Sequence, residues 1–420
     1  MSAPRPVGRA TVIAVLVALA CFWLALLAAL ALRPAGSAAR SLPAMLGMFG
    51  PRTWLVLLQN PAEARGAGGL VGGYFVVRVD HARFSVLASG TSAELARQSI
   101  PIAGIDPGQI GFWGPILTQW NGFNVTPDFP VAASLASAGM LAMGVDVDGV
   151  IAVDPFAVAT AMQSIGPVTA AGRTVSAQTV ARYFLIHEYL DFTQGRDRDR
   201  AGMSLAHAIV DRLIANPWAV VATLPRLPSL IDGGHLRIWS SRADEQSWLA
   251  TSTLGGAIPT KPGPSTVVAF NNAAGNKADA FVSTSIDYTV NNCEHTNEAT
   301  SRLTIDARND MPLGLPDKDY GRRDQPDAPT ASTSLLVHVF APIGATDPNV
   351  TINGQAASMA LETLDNRPVW WTTLELPRGL PVTLAIRFHE PRVPGAEPMV
   401  GVTPMVLPTE ITTTRASECS

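Results

Sequence analysis

"TWLVLLQNPAEARGAGGLVGGYFVVRVDHARFSVLAS", residues 53–89, decides how this chain begins to fold. The run "TWLVLL" (53–58) is continuously apolar and ends at Gln59-Asn60-Pro61, the mark of a buried strand. "YFVVRVD" (74–80) and "RFSVLAS" (83–89) flank His81-Ala82 and read as a hairpin. Between them stand Glu63, Arg65 and the glycines Gly66, Gly68, Gly69, Gly72 and Gly73. Glycines let exposed backbone amides converge into an anion-binding nest, and Arg65 or Arg78 can clamp phosphate oxygens, with Glu63 orienting Arg65. The competing reading is a strand-to-strand connection that uses the glycines for positive φ and keeps an internal Glu63–Arg65 pair. The stretch lacks the Lys-Ser/Thr of a P-loop and the G-x-G-x-x-G spacing of a dinucleotide site.

The chain has 420 residues, 47% hydrophobic and only 15% charged, below the ~25% charged of ordinary soluble domains. A net charge of -4, with lysine limited to Lys261, Lys277 and Lys318, gives no field that recruits nucleic acid. Residues 10–32, "ATVIAVLVALACFWLALLAALAL", contain no charged side chain at all. A helix needs about 20 such residues to cross a bilayer, so residues 1–32 read as a cytoplasmic stub and transmembrane anchor. "GSAA" at 36–39 leaves a signal-peptide cleavage open. A long polar domain after a first span is usually translocated, which places the bulk of the chain outside the cytoplasmic membrane as a single-pass protein.

Residues 33–52 read as a linker. Residues 53–265 mix strands with amphipathic helices and read as an extracytoplasmic α/β domain. "VDGVIAVDP" (147–155) is a strand ending at Asp154, which caps a helix that has Pro155 in its first turn. Further helices follow from Ser176, over 196–216 and over 241–251, and His187-Glu188 reads as a helix-surface pair. From about residue 265 short alternating runs set in, broken by Gly, Pro, Asn and Asp. They predict a β-sandwich-like domain of roughly seven strands over 266–391. The Pro/Thr-rich segment 392–420 reads as a flexible tail.

The common catalytic signatures, G-x-S-x-G, H-E-x-x-H and the Walker loop, do not occur. Nothing calls for a cofactor, and no Cys/His spacing suggests a metal. Cys293 and Cys419 are a candidate disulfide in a translocated domain, two idle thiols being the alternative.

The pattern "LLLQNPAEARGAGGLVGGYFVVRVD" resembles the opening signature of the bacterial domain-of-unknown-function 4012 (DUF4012) family. "NVTPDFPVAA" (124–133), "VDGVIAVDPFAVATAMQSIGPV" (147–168), "GHLRIWSSRADEQSWL" (234–249) and "FNNAAGNKADAFVSTSIDYTV" (270–290) agree with it in order. The layout is more distantly similar to the LytR-CpsA-Psr family, which transfers glycopolymers from a polyprenyl-pyrophosphate carrier onto peptidoglycan. In that family an Asp ends the first strand and an Arg-Ser-Asp follows. Here Asn60 stands at the Asp position, Arg65 lies near the Arg, and Gly-Ala-Gly replaces the rest.

The resemblance implies an anchored, outward-facing α/β fold followed by a β-rich part. It also implies a cell-envelope role that binds a polyprenyl-phosphate lipid or cell-wall polysaccharide without established catalysis. The ligand-binding residues it points to are Asn60, Glu63, Arg65, Gly68, Gly69, Gly72, Gly73, Arg78, Asp80 and Asp128. The rival readings are a divergent glycopolymer transferase using Arg65 with Glu63, Asp80 or Asp128, and a non-catalytic envelope scaffold. The topology is directly measurable. A C-terminal reporter fused to the full chain is expected to be active only outside the cytoplasm, and activity confined to the cytoplasm refutes the assignment.

Overall fold

The structure is a computed structural model and describes residues 41–192, 194–216, 223–291 and 298–416. The expected span at 10–32 and both Cys293 and Cys419 lie outside the described residues. Among the described residues no helix is long and apolar enough to cross a membrane.

Strand β1 (Arg52–Arg65) carries the apolar run and pairs antiparallel with β2 (Gly68–Asp80) along its length. It alternates between two cores, as a strand covered on both faces must. Leu55 and Leu57 face a core that includes Phe129, Leu135 and Met140. Trp54 faces another with Met45, Val79 and Leu249. The β2 strand turns through His81 and Ala82, at φ 47° and 57°, into β3 (Arg83–Thr91). Two consecutive positive φ values match the right-handed twist of the flanking strands. Strand β4 (Gly149–Val153) runs parallel to β1. Beyond it Asp154 accepts hydrogen bonds from the Phe156 and Ala157 amides and starts the helix Pro155–Met162. Strands β5 (Val168–Ala170) and β6 (Arg173–Val175) form a separate small hairpin. Strand β7 (Leu236–Ser240) completes a five-stranded sheet of order β3-β2-β1-β4-β7.

The glycine-rich stretch is not a loop. Gly68, Gly69 and Gly73 are paired in the β1–β2 ladder, and only Gly66 and Ala67 make the turn. Their amides are ladder groups, so the expected anion nest does not form. Pro61, Ala62 and Glu63 bulge out between the Asn60–Leu70 and Ala64–Gly69 pairs. The bulge presses backbone onto backbone, and a Cβ on Gly69 would lie 2.2 Å from the Asn60 carbonyl carbon. The glycine there is needed for close approach of backbone to backbone.

Two more sheets follow. Strands β8 (Ser265–Asn272), β9 (Val282–Asn291) and β10 (Glu298–Asn309) lead in. Next come β11 (Thr333–Phe340), β12 (Thr346–Ile352), β13 (Gln355–Ala357) and β14 (Ala360–Leu364). The last are β15 (Arg367–Leu376), β16 (Pro381–Pro391), β17 (Met399–Val402) and β18 (Glu410–Ala416). They form a six-stranded sheet β13-β12-β16-β10-β9-β18 and a five-stranded sheet β14-β15-β11-β8-β17. Phe270, Val337 and Trp370 of one sheet share a core with Ile286, Leu303 and Ile386 of the other. The expectation of roughly seven strands fell short because β13 and β14 are short and polar and two strands come from the tail. β8 is buried at every position, since Phe112 and Trp113 of the helix Pro107–Trp113 pack on its outer side beside Val267 and Ala269.

Two segment boundaries need correction. The expected flexible tail supplies β17, parallel to β8, and β18, parallel to β9. Edge strands offer free backbone groups, and those groups order a segment that side-chain pattern alone does not. The expected linker is folded from residue 41. Residues 41–45 are helical, Met45 is buried, and Arg52 is buried against Glu245 at 2.6 Å.

Gly69→Ala is expected to destabilise the protein by at least about 2 kcal/mol in urea unfolding, because the added methyl overlaps main-chain atoms that cannot swing away.

Candidate functional site

The end of β1 is where the charged residues of the opening stretch collect. Glu63, in the bulge, has a side chain only 10% exposed. Its Oε1 accepts from Arg65 Nη2 at 2.9 Å and its Oε2 pairs with Lys277 Nζ at 2.8 Å. Burial pushes the Glu63 carboxyl up, but Lys277 and Arg65 together outweigh it and hold it below the ordinary carboxylate range. Arg65 also donates through Nη1 to the Ala64 carbonyl at 2.9 Å and through Nε to the Asn121 carbonyl at 3.3 Å. Its planar fork is therefore engaged from several sides.

Lys277 comes from the run "FNNAAGNKADAF" (270–281), which begins in the last residues of β8. The same run sends Asp279 to accept the Ala64 amide at 2.8 Å and Asn271 to accept the Gly66 amide at 2.9 Å. Asp279 is wholly buried, its Oδ1 has no partner, and burial raises its carboxyl to about 7. From a third direction the π-turn Tyr183–His187 brings Glu188 and Tyr189 inward. The Tyr189 ring lies under Arg198 at 4.7 Å and Lys277 at 5.4 Å. Its hydroxyl accepts from Asn60 Nδ2 at 2.9 Å. Arg198 pairs with Asp319 at 2.9 Å. Burial drives Glu188 up to about 8 against the pull of Arg198 and Lys277. The sequence reading of His187-Glu188 as a helix-surface pair is thus wrong for Glu188, which points into this ionic knot.

The other candidate residues are dispersed. Asn60 donates to the Phe184 carbonyl and Tyr189 Oη and accepts the Ala62 amide, so it braces the bulge. Arg78 and Asp80 sit at the far end of the hairpin, roughly 30 Å along the ladder from Arg65 at ~3.3 Å per residue. Arg78 is exposed there, and Asp80 pairs with His81 at 2.6 Å. Asp128 precedes the helix Phe129–Ala142, where burial and the Asp365 charge raise its carboxyl to about 7. Of the carboxylates named beside Arg65, only Glu63 pairs with it, and Arg78 and Asp80 lie at the other end of the hairpin. Among the described residues no group of three or more His, Cys, Asp or Glu is placed to hold a metal. Sequence reasoning missed Lys277, Glu188 and Arg198. The available signal was a lysine between Asn276 and Asp279 in a chain with only three lysines.

A cleft of about 480 Å³ opens beside the same turn. Gly66, Ala67 and Phe129 line it from the first sheet region, Ile258 from the connection to β8, Val267 from β8, and Val400 from β17. Its size suits a small ligand, and most of its lining is apolar.

Arg65→Ala is expected to cost about 2–4 kcal/mol in urea unfolding, because it leaves Glu63 buried with one cation. This replaces the near-neutral effect that a partly exposed pair would show. Glu188 keeps its proton in the folded state between the ordinary carboxyl value and about 8, while the unfolded chain releases it. Its contribution is therefore intact at low pH and lost as pH rises from about 5 to 8, and Asp279 acts in the same direction up to about 7. Glu188→Gln should flatten that decline in thermal melts across the window, and an unchanged slope would refute the assignment.

No curated protein matches the chain. Among solved structures it is similar to a putative nutrient binding protein from Legionella pneumophila, at 9% identity over 30% of this chain and 44% of that one, with a TM-score of 0.19. It is also similar to protein gbs0355 of Streptococcus agalactiae, at 10% identity over 50% and 76% with a TM-score of 0.29. The third is TagV of B. subtilis, a LytR-CpsA-Psr family protein, at 12% identity over 49% and 80% with a TM-score of 0.26. This chain spans less than half the length of the Legionella protein. At these TM-scores the superpositions carry no argument about fold or function. The family comparison is firmer: residues 50–189, from the start of β1 through Tyr189, match the model of DUF4012, a protein of unknown function, as the opening signature implied.

Proposed function

We propose that this chain is a membrane-anchored, extracytoplasmic cell-envelope protein that binds a polyprenyl-linked or polysaccharide ligand and leaves its bonds intact. The observation that carries this reading is the largely apolar cleft beside Gly66 and Ala67. It lies at the border of the two proposed domains, 53–265 and 266–391, and next to the segment that matches DUF4012. The uncharged run at 10–32 supports the anchor, and the LytR-CpsA-Psr-like order of motifs supports the envelope ligand.

Binding without transfer is favoured by how the charges are used. A phosphoryl or glycosyl phosphate transferase needs carboxylates and free cations arranged round the reacting phosphate. Here Glu63 occupies both Arg65 and Lys277 in a dry knot, and Asp80 sits at the opposite end of the hairpin. A scaffold role would leave the cleft idle.

Thr413 is exposed and lines the cleft from β18, so Thr413→Trp should fill it while sparing the fold. With full chain in neutral lipid nanodiscs, binding of envelope-extracted polyprenyl-linked glycan, followed by native mass spectrometry, is expected to fall at least tenfold in this variant. Equal binding by both proteins, or release of a cleaved product, would sink the proposal.

A further inference from the structure

We infer that Arg237 is the anion contact of this cleft, and that the ligand seated there is an amphiphile: a single phosphate or carboxylate head on an apolar chain. The inference rests on the reading of the cleft as a ligand seat and adds the chemistry of what fills it.

Arg237 projects from β7 into the cleft lining. One arm is fixed, since Nη1 donates to the Ile231 carbonyl at 2.7 Å and to the Leu236 carbonyl at 3.4 Å. Among the described residues Nε and Nη2 have no acceptor, and no carboxylate lies within 4.0 Å. Other guanidiniums withdrawn from solvent are engaged differently: Arg367, buried with no carboxylate beside it, gives both Nη1 and Nη2 to main-chain carbonyls. Arg52 pairs with Glu245, Arg65 with Glu63, and Arg198 with Asp319. The carboxylates nearest in effect on Arg237 are Asp232 and Asp154. Asp154 is already spent on the Phe156 and Ala157 amides and on His235 at 2.6 Å. Burial lowers Arg237 only to about 10, so it stays charged at neutral pH. Arg237 is half-buried and its unpartnered Nε and Nη2 are not sealed off, so an anionic ligand in the cleft can supply the missing counter-ion.

The cleft supplies the room for such a head, and two glycines let the backbone pack closely against the guanidinium. Gly234 and Gly256 flank the guanidinium with φ of 75° and 59°. A Cβ at Gly234 would stand 2.9 Å from Nη2, and one at Gly256 would stand 2.7 Å from Cδ. Ser265 also lines the cleft, and its hydroxyl is buried without a partner. The remaining walls are mostly hydrocarbon: Phe129, Ile258, Val267, Val400 and Pro404. One cation at the end of an apolar trough recognises a charged head and a greasy body together, and neither alone satisfies it.

The test is calorimetry on full chain in phosphatidylcholine nanodiscs, with empty nanodiscs and Thr413→Trp as references for partitioning. The probes are octyl phosphate, octanol and inorganic phosphate. Octyl phosphate is expected to bind at least tenfold tighter than either of the others, to lose at least tenfold in Arg237→Gln, and to recover part of that in Arg237→Lys. Binding within twofold of wild type in Arg237→Gln, with an unchanged melting temperature, would overturn the inference. So would octanol or inorganic phosphate binding as tightly as octyl phosphate, the first showing a purely apolar site and the second a site for a free anion. Because Nη1 also holds two carbonyls, Arg237→Gln can lower the melting temperature. In that case Arg237→Lys and the three-probe comparison on the wild-type protein decide. If octyl phosphate binds through Arg237 but envelope extracts yield no polyprenyl-linked or polysaccharide ligand, the anion seat stands and the envelope reading falls. If the envelope ligand binds and Arg237→Gln leaves it unaffected, the envelope reading stands and the seat falls.

Discussion

The carboxylate of Glu63, held between Arg65 and Lys277 in a site that water hardly reaches, is the interaction on which the rest of the structure depends. A carboxylate taken out of water is costly, and one cation repays that only in part. Two cations from segments 212 positions apart in sequence repay it together, and in doing so tie the end of β1 to the run after β8. Around that tie the neutral contacts fall into place. The Ala64 amide reaches Asp279, the Gly66 amide reaches Asn271, and the Gly66 carbonyl accepts from Thr403 at 3.1 Å. The bulge of Pro61 to Glu63 exists because it turns the Glu63 side chain toward this partner. The same demand explains Gly69 on the opposing strand, where only a hydrogen leaves room for the displaced backbone of Asn60 and Pro61.

This arrangement redistributes roles among residues that a linear reading groups together. Arg65 is locked by Glu63 and three main-chain carbonyls, whereas Arg237, more than 170 positions later, keeps donors free in the cleft. The turn Gly66-Ala67 lies beside both, and that shared position makes the ionic knot and the cleft neighbours. The knot gives rigidity, because each of its charges has a fixed partner or is neutral through burial. The cleft gives capacity, because its walls are mostly apolar and its one cation, Arg237, keeps Nε and Nη2 free.

Local sequence determined what depends on neighbours a few positions away. The apolar run at 53–58, the His81-Ala82 hairpin, the strand at 149–153 with its Asp154 cap, the helix Gly195–Ala215 and the alternation through β9 and β10 were all legible. Periodicity and capping are local physics, and the Glu63–Arg65 pair, two residues apart, was legible for the same reason. Only the tertiary structure decided that the glycines are ladder positions, since glycine adopts the extended φ of a strand and the positive φ of a nest with equal ease. Only it ordered residues 399–402 and 410–416, whose pattern is weak and whose stability comes from the open edges of β8 and β9. Only it brought Lys277, Glu188 and Arg198 to one place and left Arg237 without a counter-ion. The sign and partner of a buried charge depend on which distant segments exclude water around it, and spacing along the chain does not encode that.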